Sequence, residues 1–163
     1  MTGDNGFGDF LAFCVEVTQF ISNPQVGQVT DLFTGATFDA IDKLFSNAFA
    51  GEALETAVDT SVKAAGFQMA LWEVVYDTGA GGYDLSNGTF QGSASGSVVA
   101  QANAYLAGIG NGAMGAYDIT FLASELNQDL VTVTPVPVPL PATALLRLGG
   151  LGGSAALRRK KAS

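Results

Sequence analysis

The sequence contains no histidine. That removes Ser-His-Asp and Cys-His catalysis in their usual forms, together with the commonest metal ligand. A single cysteine, Cys14, leaves no internal disulfide and no cysteine-cluster zinc site. The acidic residues lack the spacing of an EF-hand: between Asp77 and Gly88 stand Asp77, Asp84 and Asn87, out of register for a calcium loop. Any two carboxylates can meet in space, but nothing singles out a pair for hydrolysis. Basic residues are also scarce. Through position 130 only Lys43 and Lys63 stand against all fifteen acidic residues, while Arg147, Arg158, Arg159, Lys160 and Lys161 lie near the end of the chain. So acidic a body is repelled by nucleic acid, which binds Lys- and Arg-rich surfaces by displacing counterions. No metal, cofactor or catalytic set follows from these residues, and the chain is not expected to be an enzyme.

What is present is a body rich in apolar residues, long enough for one domain with a core. Phe10 to Val17 reads as a strand, with Phe13, Val15 and Val17 on one face and Ala12, Cys14 and Glu16 on the other. Gln28 to Thr34 is a second, weaker strand, and Ala40 to Phe49 a short amphipathic helix stopping at Gly51. The strongest helix carries Val58, Val62, Ala65, Met69, Trp72 and Tyr76 at steps of three and four, with Phe67, Leu71 and Val74 around the sides. It must be largely buried and must end before Thr78 to Gly82. Tyr83 to Gln91 reads as a hairpin with Asn87-Gly88 at its turn, Ser97 to Ala107 as a helix and Ala116 to Ala123 as a late strand. The expected class is α+β: a single β-rich domain with a helical insertion, followed by a Pro-rich stalk and a C-terminal transmembrane helix.

The end of the chain has three parts. Pro135, Pro137, Pro139 and Pro141 neither continue a helix nor donate to a sheet ladder, so 131–141 is expected to be an extended linker. Residues 142–157 are almost all apolar or small, and at ~1.5 Å per residue a helix there nearly crosses a hydrocarbon core of ~30 Å. Arg147 interrupts it but lies close enough to the prolines to snorkel outward, which weakens the anchor without abolishing it. Residues 158–163 form a basic tail whose Arg158, Arg159, Lys160 and Lys161 fix that end on the cytoplasmic side and leave the body outside.

The run Val138-Pro139-Leu140-Pro141-Ala142, then a Gly/Leu-rich helix and an Arg/Lys terminus, resembles the VPLPA variant of the PEP-CTERM sorting signal of Gram-negative bacteria. The resemblance implies recognition by an exosortase-type membrane protease that cuts near the proline motif. It also implies a transient inner-membrane intermediate, then release to the cell surface or extracellular matrix. Met1 to Gly6 has neither the basic n-region nor the apolar h-region of a secretory signal. Residues 1–9 are therefore expected to be a truncated or disordered N-terminus, with the body occupying 10–130.

Cys14 and Gln68 are the residues that need explaining. A lone thiol in an exported protein is a buried small hydrophobe, an intermolecular disulfide partner or a reactive group. Gln68 sits among apolar neighbours, and burying an unpartnered amide costs about 2–7 kcal/mol. Phe13-Cys14-Val15-Glu16 and the later Phe67-Gln68-Met69-Ala70-Leu71-Trp72 resemble, over Phe10 to Asp84, the bacterial thioester domains of surface adhesins. The resemblance implies an internal Cys14–Gln68 thioester that couples the protein to an amine-bearing partner. Such a partner would be an unidentified surface or matrix component. The alternative is a noncovalent buried pair in a non-reactive matrix or biofilm protein.

Four further residues have readings of their own. Trp72, by its helical spacing, is core that covers the site; Glu16, two residues after Cys14, shares its strand face and is placed to assist proton transfer, or is simply solvated. Glu73 and Asp77, four apart, are expected to form the solvated stripe of the helix.

Overall fold

The computed structural model describes residues 2–4, 9–21, 27–77, 79, 81–110 and 112–137. Its strands are β1 (Thr2–Asp4), β2 (Asp9–Leu11), β3 (Phe13–Cys14), β4 (Gln28–Thr30), β5 (Tyr117–Ala123) and β6 (Leu130–Pro135). Its helices, all between β4 and β5, are α1 (Gly35–Phe49), α2 (Leu54–Ala57), α3 (Ser61–Tyr76) and α4 (Gly96–Ala107). The domain is α+β, and among the described residues its helices hold more of the chain than its strands, so it is not β-rich.

An antiparallel sheet of order β3-β6-β5-β4 carries the fold. Alternation sorts its residues cleanly. Phe13, Val131, Phe121 and Thr30 lie in one cross-strand row, Cys14, Leu130, Leu122 and Val29 in the next. Successive side chains of a strand point to opposite faces. Accordingly Phe13, Val15, Phe121 and Val131 join the main core with the helices, while Ala12, Cys14 and Leu130 form a second, smaller cluster against Phe10, Trp72 and Leu122.

The main core is built on aromatic rings. Phe67 is fully buried, with ring centroids 4.7 Å from Phe13, 4.7 Å from Phe45 and 4.4 Å from Phe49. α1 contributes Ile41, Leu44 and Phe45, and α3 contributes Phe67, Ala70, Leu71 and Val74. The innermost face of α3 is thus rotated from the Val62, Ala65, Met69, Trp72, Tyr76 stripe: Met69 is buried, but Val62, Trp72 and Tyr76 are only half-buried and Ala65 is exposed. Gly66 lets α4 approach, since a Cβ there would lie 2.9 Å from Gln101 Cβ.

Several boundaries differ from the sequence reading. α1 begins at Gly35 instead of Ala40, and α3 begins at Ser61, where the Thr60 hydroxyl accepts from the Lys63 N–H, so Val58 lies outside it. Gln28–Thr30 stops short of Thr34. Thr2–Asp4 pairs with Asp9–Leu11, so 1–9 is not disordered throughout. The 83–91 segment is no hairpin: its amides turn onto the side chains of Glu73 in α3 and of Asp77 just past it, in place of a partner strand. The linker expected from 131 begins instead as β6, whose Val131 is fully buried. Pro135 is tolerated because it ends the strand. No helix among the described residues is long and apolar enough to cross a membrane. The span expected at 142–157, Val138 to Ala142 and Arg158 to Lys161 lie outside them.

Candidate functional site

β3 is an edge strand, and an edge strand presents unpaired N–H and C=O groups. At Cys14 those two groups are taken by one side chain. The Cys14 N–H donates to Gln68 Oε1 at 2.9 Å, and Gln68 Nε2 donates to the Cys14 carbonyl at 2.7 Å, across 54 residues of sequence. A primary amide is a donor and an acceptor held side by side, so Gln68 completes the sheet edge as a neighbouring strand would. Both halves of the amide are satisfied, and the desolvation cost of placing it in this apolar helix is met.

The helix follows the strand beyond this point. Trp72, one turn on from Gln68, packs against the Cys14 cluster, and the Tyr76 hydroxyl, a further turn on, accepts from the Val17 N–H at 3.1 Å. Gln68, Trp72 and Tyr76 recur every four residues, which aligns them along one side of α3. The Val15 N–H donates to the Asp129 carbonyl at 3.0 Å, holding the chain after Cys14 from the other side. Cys14 is 8% exposed, and burial pushes its thiol pKa up.

Glu16 does not share this arrangement. β3 ends before it, and its carboxylate accepts from the Thr18 hydroxyl. Nor do Glu73 and Asp77 form a solvated stripe. Glu73 is 1% exposed, its Oε1 accepts from the Asp84 N–H at 2.7 Å, and burial raises its pKa. Asp77 accepts from the Thr89 and Phe90 N–H groups at 2.8 and 2.9 Å, which hold its pKa below the usual carboxylate range.

Sequence reasoning missed that the 84–92 loop is organised by these two carboxylates. Spacing within α3 was the only available signal, and the amides they capture belong to another segment. No group of three or more Asp, Glu, Cys or His among the described residues is placed to hold a metal ion. The chain matches no protein-family model, no curated protein and no solved structure.

Proposed function

We propose that this is an exported surface protein that couples once to an amine-bearing partner through an internal thioester between Cys14 and Gln68. The observation that carries the reading is the pair of hydrogen bonds seating the Gln68 carboxamide on the Cys14 main chain. In the bond-forming step Cys14 Sγ attacks Gln68 Cδ. The charge developing on Oε1 is then met by the Cys14 N–H, already aligned with that atom in the ground state. Nε2 gives up its bond to the Cys14 carbonyl and leaves as ammonia, carrying away the thiol proton. The thioester lacks amide resonance, so an amine attacks the same carbon, Cys14 sulfur leaves and takes up the amine's proton, and an isopeptide bond remains. The chain is consumed in the coupling and turns over no substrate. Burial in the Cys14 cluster, with Trp72 beside it, keeps water away from the stored acyl group.

Intact mass tests this directly. The freshly purified chain is expected to weigh one ammonia less than its sequence and to gain one methylamine on exposure to that amine. A full-mass chain with an alkylatable Cys14 counts against the thioester. It would favour the second reading, a non-reactive matrix or biofilm protein, in which Gln68 only completes the sheet edge. The hydrogen-bond pair supports that reading too, because it satisfies both groups without a covalent bond.

Delivery to the surface rests on the tail. Val138 to Ala142 would be read by an exosortase-type protease, with 142–157 as a transient inner-membrane anchor and Arg158 to Lys161 fixing its orientation. Deleting Arg158 to Lys161 is expected to release or misplace the protein, scored by surface labelling of cells. Unchanged display would rule out this use of the tail.

A further inference from the structure

We propose that residues 84–92 form a strap that closes over Trp72 and gates access to the Cys14–Gln68 junction. The biological meaning of such a gate rests on the thioester reading; the gate itself does not. The strap is a loop closed on itself: the Gly92 N–H donates to the Leu85 carbonyl at 3.0 Å, and Leu85 is its buried foot. Compact surface loops whose ends meet are frequently functional, and proteins open locally without unfolding globally. Two carboxylates latch it down, Glu73 in the last turn of α3 through the Asp84 amide and Asp77 just past the helix end through those of Thr89 and Phe90.

Gly88 is required by this arrangement. Its φ is +109°, and a Cβ there would lie 2.6 Å from Asp77 Oδ1. With the latch closed, the Phe90 ring stands 6.0 Å from the Trp72 ring, and Trp72 packs on the cluster that buries Cys14. The contact chain therefore runs from the Asp77 carboxylate through Phe90 and Trp72 to the cluster that holds Cys14.

Trp72 and Glu73, which meet Phe90 and Asp84 of the strap, each carry a buried polar atom, Nε1 and Oε2, with no hydrogen-bond partner. Ser86 to Thr89 are exposed already, so lifting the strap breaks the Thr89 and Phe90 amide bonds to Asp77 but uncovers little of these four residues. The segment is held to the rest of the fold by Leu85 and Phe90, which pack on the main core, and by its amide bonds to two carboxylates, with Ser86 to Thr89 facing solvent.

The chain carries its own reporters, for Trp72 is its one tryptophan and Cys14 its one cysteine. Acrylamide quenching of Trp72 fluorescence reads the strap, and the rate of iodoacetamide alkylation reads the thiol. Asp77→Ala, which removes two latching acceptors, is expected to raise both, the alkylation rate by about tenfold. Phe90→Ala leaves every latching hydrogen bond in place and removes only the ring over Trp72. It is expected to raise both readings as well, and carries the test alone should Asp77→Ala not fold.

Quenching that rises while Cys14 reactivity stays fixed would overturn the gate, and so would quenching unchanged in a folded variant. If the wild-type chain is lighter by one ammonia, methylamine uptake replaces iodoacetamide as the second reading. A full-mass chain that takes up no methylamine ends the thioester reading and leaves the strap to be judged on alkylation.

Discussion

Gln68→Glu and Cys14→Ala are each expected to abolish methylamine uptake entirely, yet to differ sharply in what they do to the fold. Cys14→Ala removes the nucleophile and keeps the architecture, because Gln68 bonds to the main chain of residue 14 and not to its sulfur. It loses only the packing of one sulfur within the small cluster of Ala12, Cys14 and Leu130, so its stability should fall by no more than about 1–2 kcal/mol. Gln68→Glu leaves a carboxylate, which is no acyl donor without activation, and sets an oxygen against the Cys14 carbonyl where an N–H now donates at 2.7 Å. An unpaired buried acceptor costs about 1–3 kcal/mol, and a charged one more.

The introduced carboxyl also gives a pH signature of definite sign. Its neutral form donates to the carbonyl and its charged form cannot, so its pKa in the folded chain must rise above the ordinary glutamate value of about 4.3. The stabilisation is then fully present below that ordinary value and lost as pH climbs through the raised one. Urea midpoints of Gln68→Glu are therefore expected to be higher in mild acid than at neutrality, relative to the unaltered chain. Amine uptake surviving in Cys14→Ala would exclude this residue as the nucleophile.

Phe67→Ala is expected to be the most destabilising single truncation beside the site, at about 3–5 kcal/mol by chemical denaturation. The ring is fully buried and lies within 6 Å, centroid to centroid, of Phe13 (4.7 Å), Phe45 (4.7 Å), Phe49 (4.4 Å) and Tyr105 (5.6 Å). Those rings belong to β3, α1 and α4, so the hole cannot be closed by moving one element. A loss below about 1 kcal/mol would mean the core can collapse onto the vacancy, which such an arrangement does not allow. Because Phe67 precedes Gln68, the same variant should also loosen the amide's hold on Cys14.

The legibility of this chain follows the range of the forces involved. The odd and even residues from Phe10 to Val15 divide between the two clusters as a period of two requires, and α3 ends where glycines begin. Those signals are local. β6 was hidden because the prolines after it dominate the composition, although Val131, Thr132, Val133 and Thr134 are β-branched residues in alternation. The start of α1 was hidden for a different reason: Thr34 makes no side-chain cap bond, and Gly35 is a poor first residue. Glu73 could not be placed from sequence, because the amide that it accepts from lies eleven residues away in a loop. The Cys14–Gln68 junction was marked by the cost of an amide in an apolar helix, but its geometry, main chain to side chain at a sheet edge, was not.

The position of β6 has a mechanical consequence. Cys14 pairs with Leu130 at the start of this strand, and the chain continues past Pro135 at its other end. A pull applied between a partner held at Gln68 and the segment beyond Val136 is therefore directed along β6. Such a load strains the hydrogen bonds to β5 in shear, with the ladder from Leu130 to Pro135 sharing the force, instead of peeling them one at a time. Under the proposed function, in which Gln68 is the point of attachment and the tail the tether, resistance to tension would come from β6 and would fail by its sliding against its neighbours.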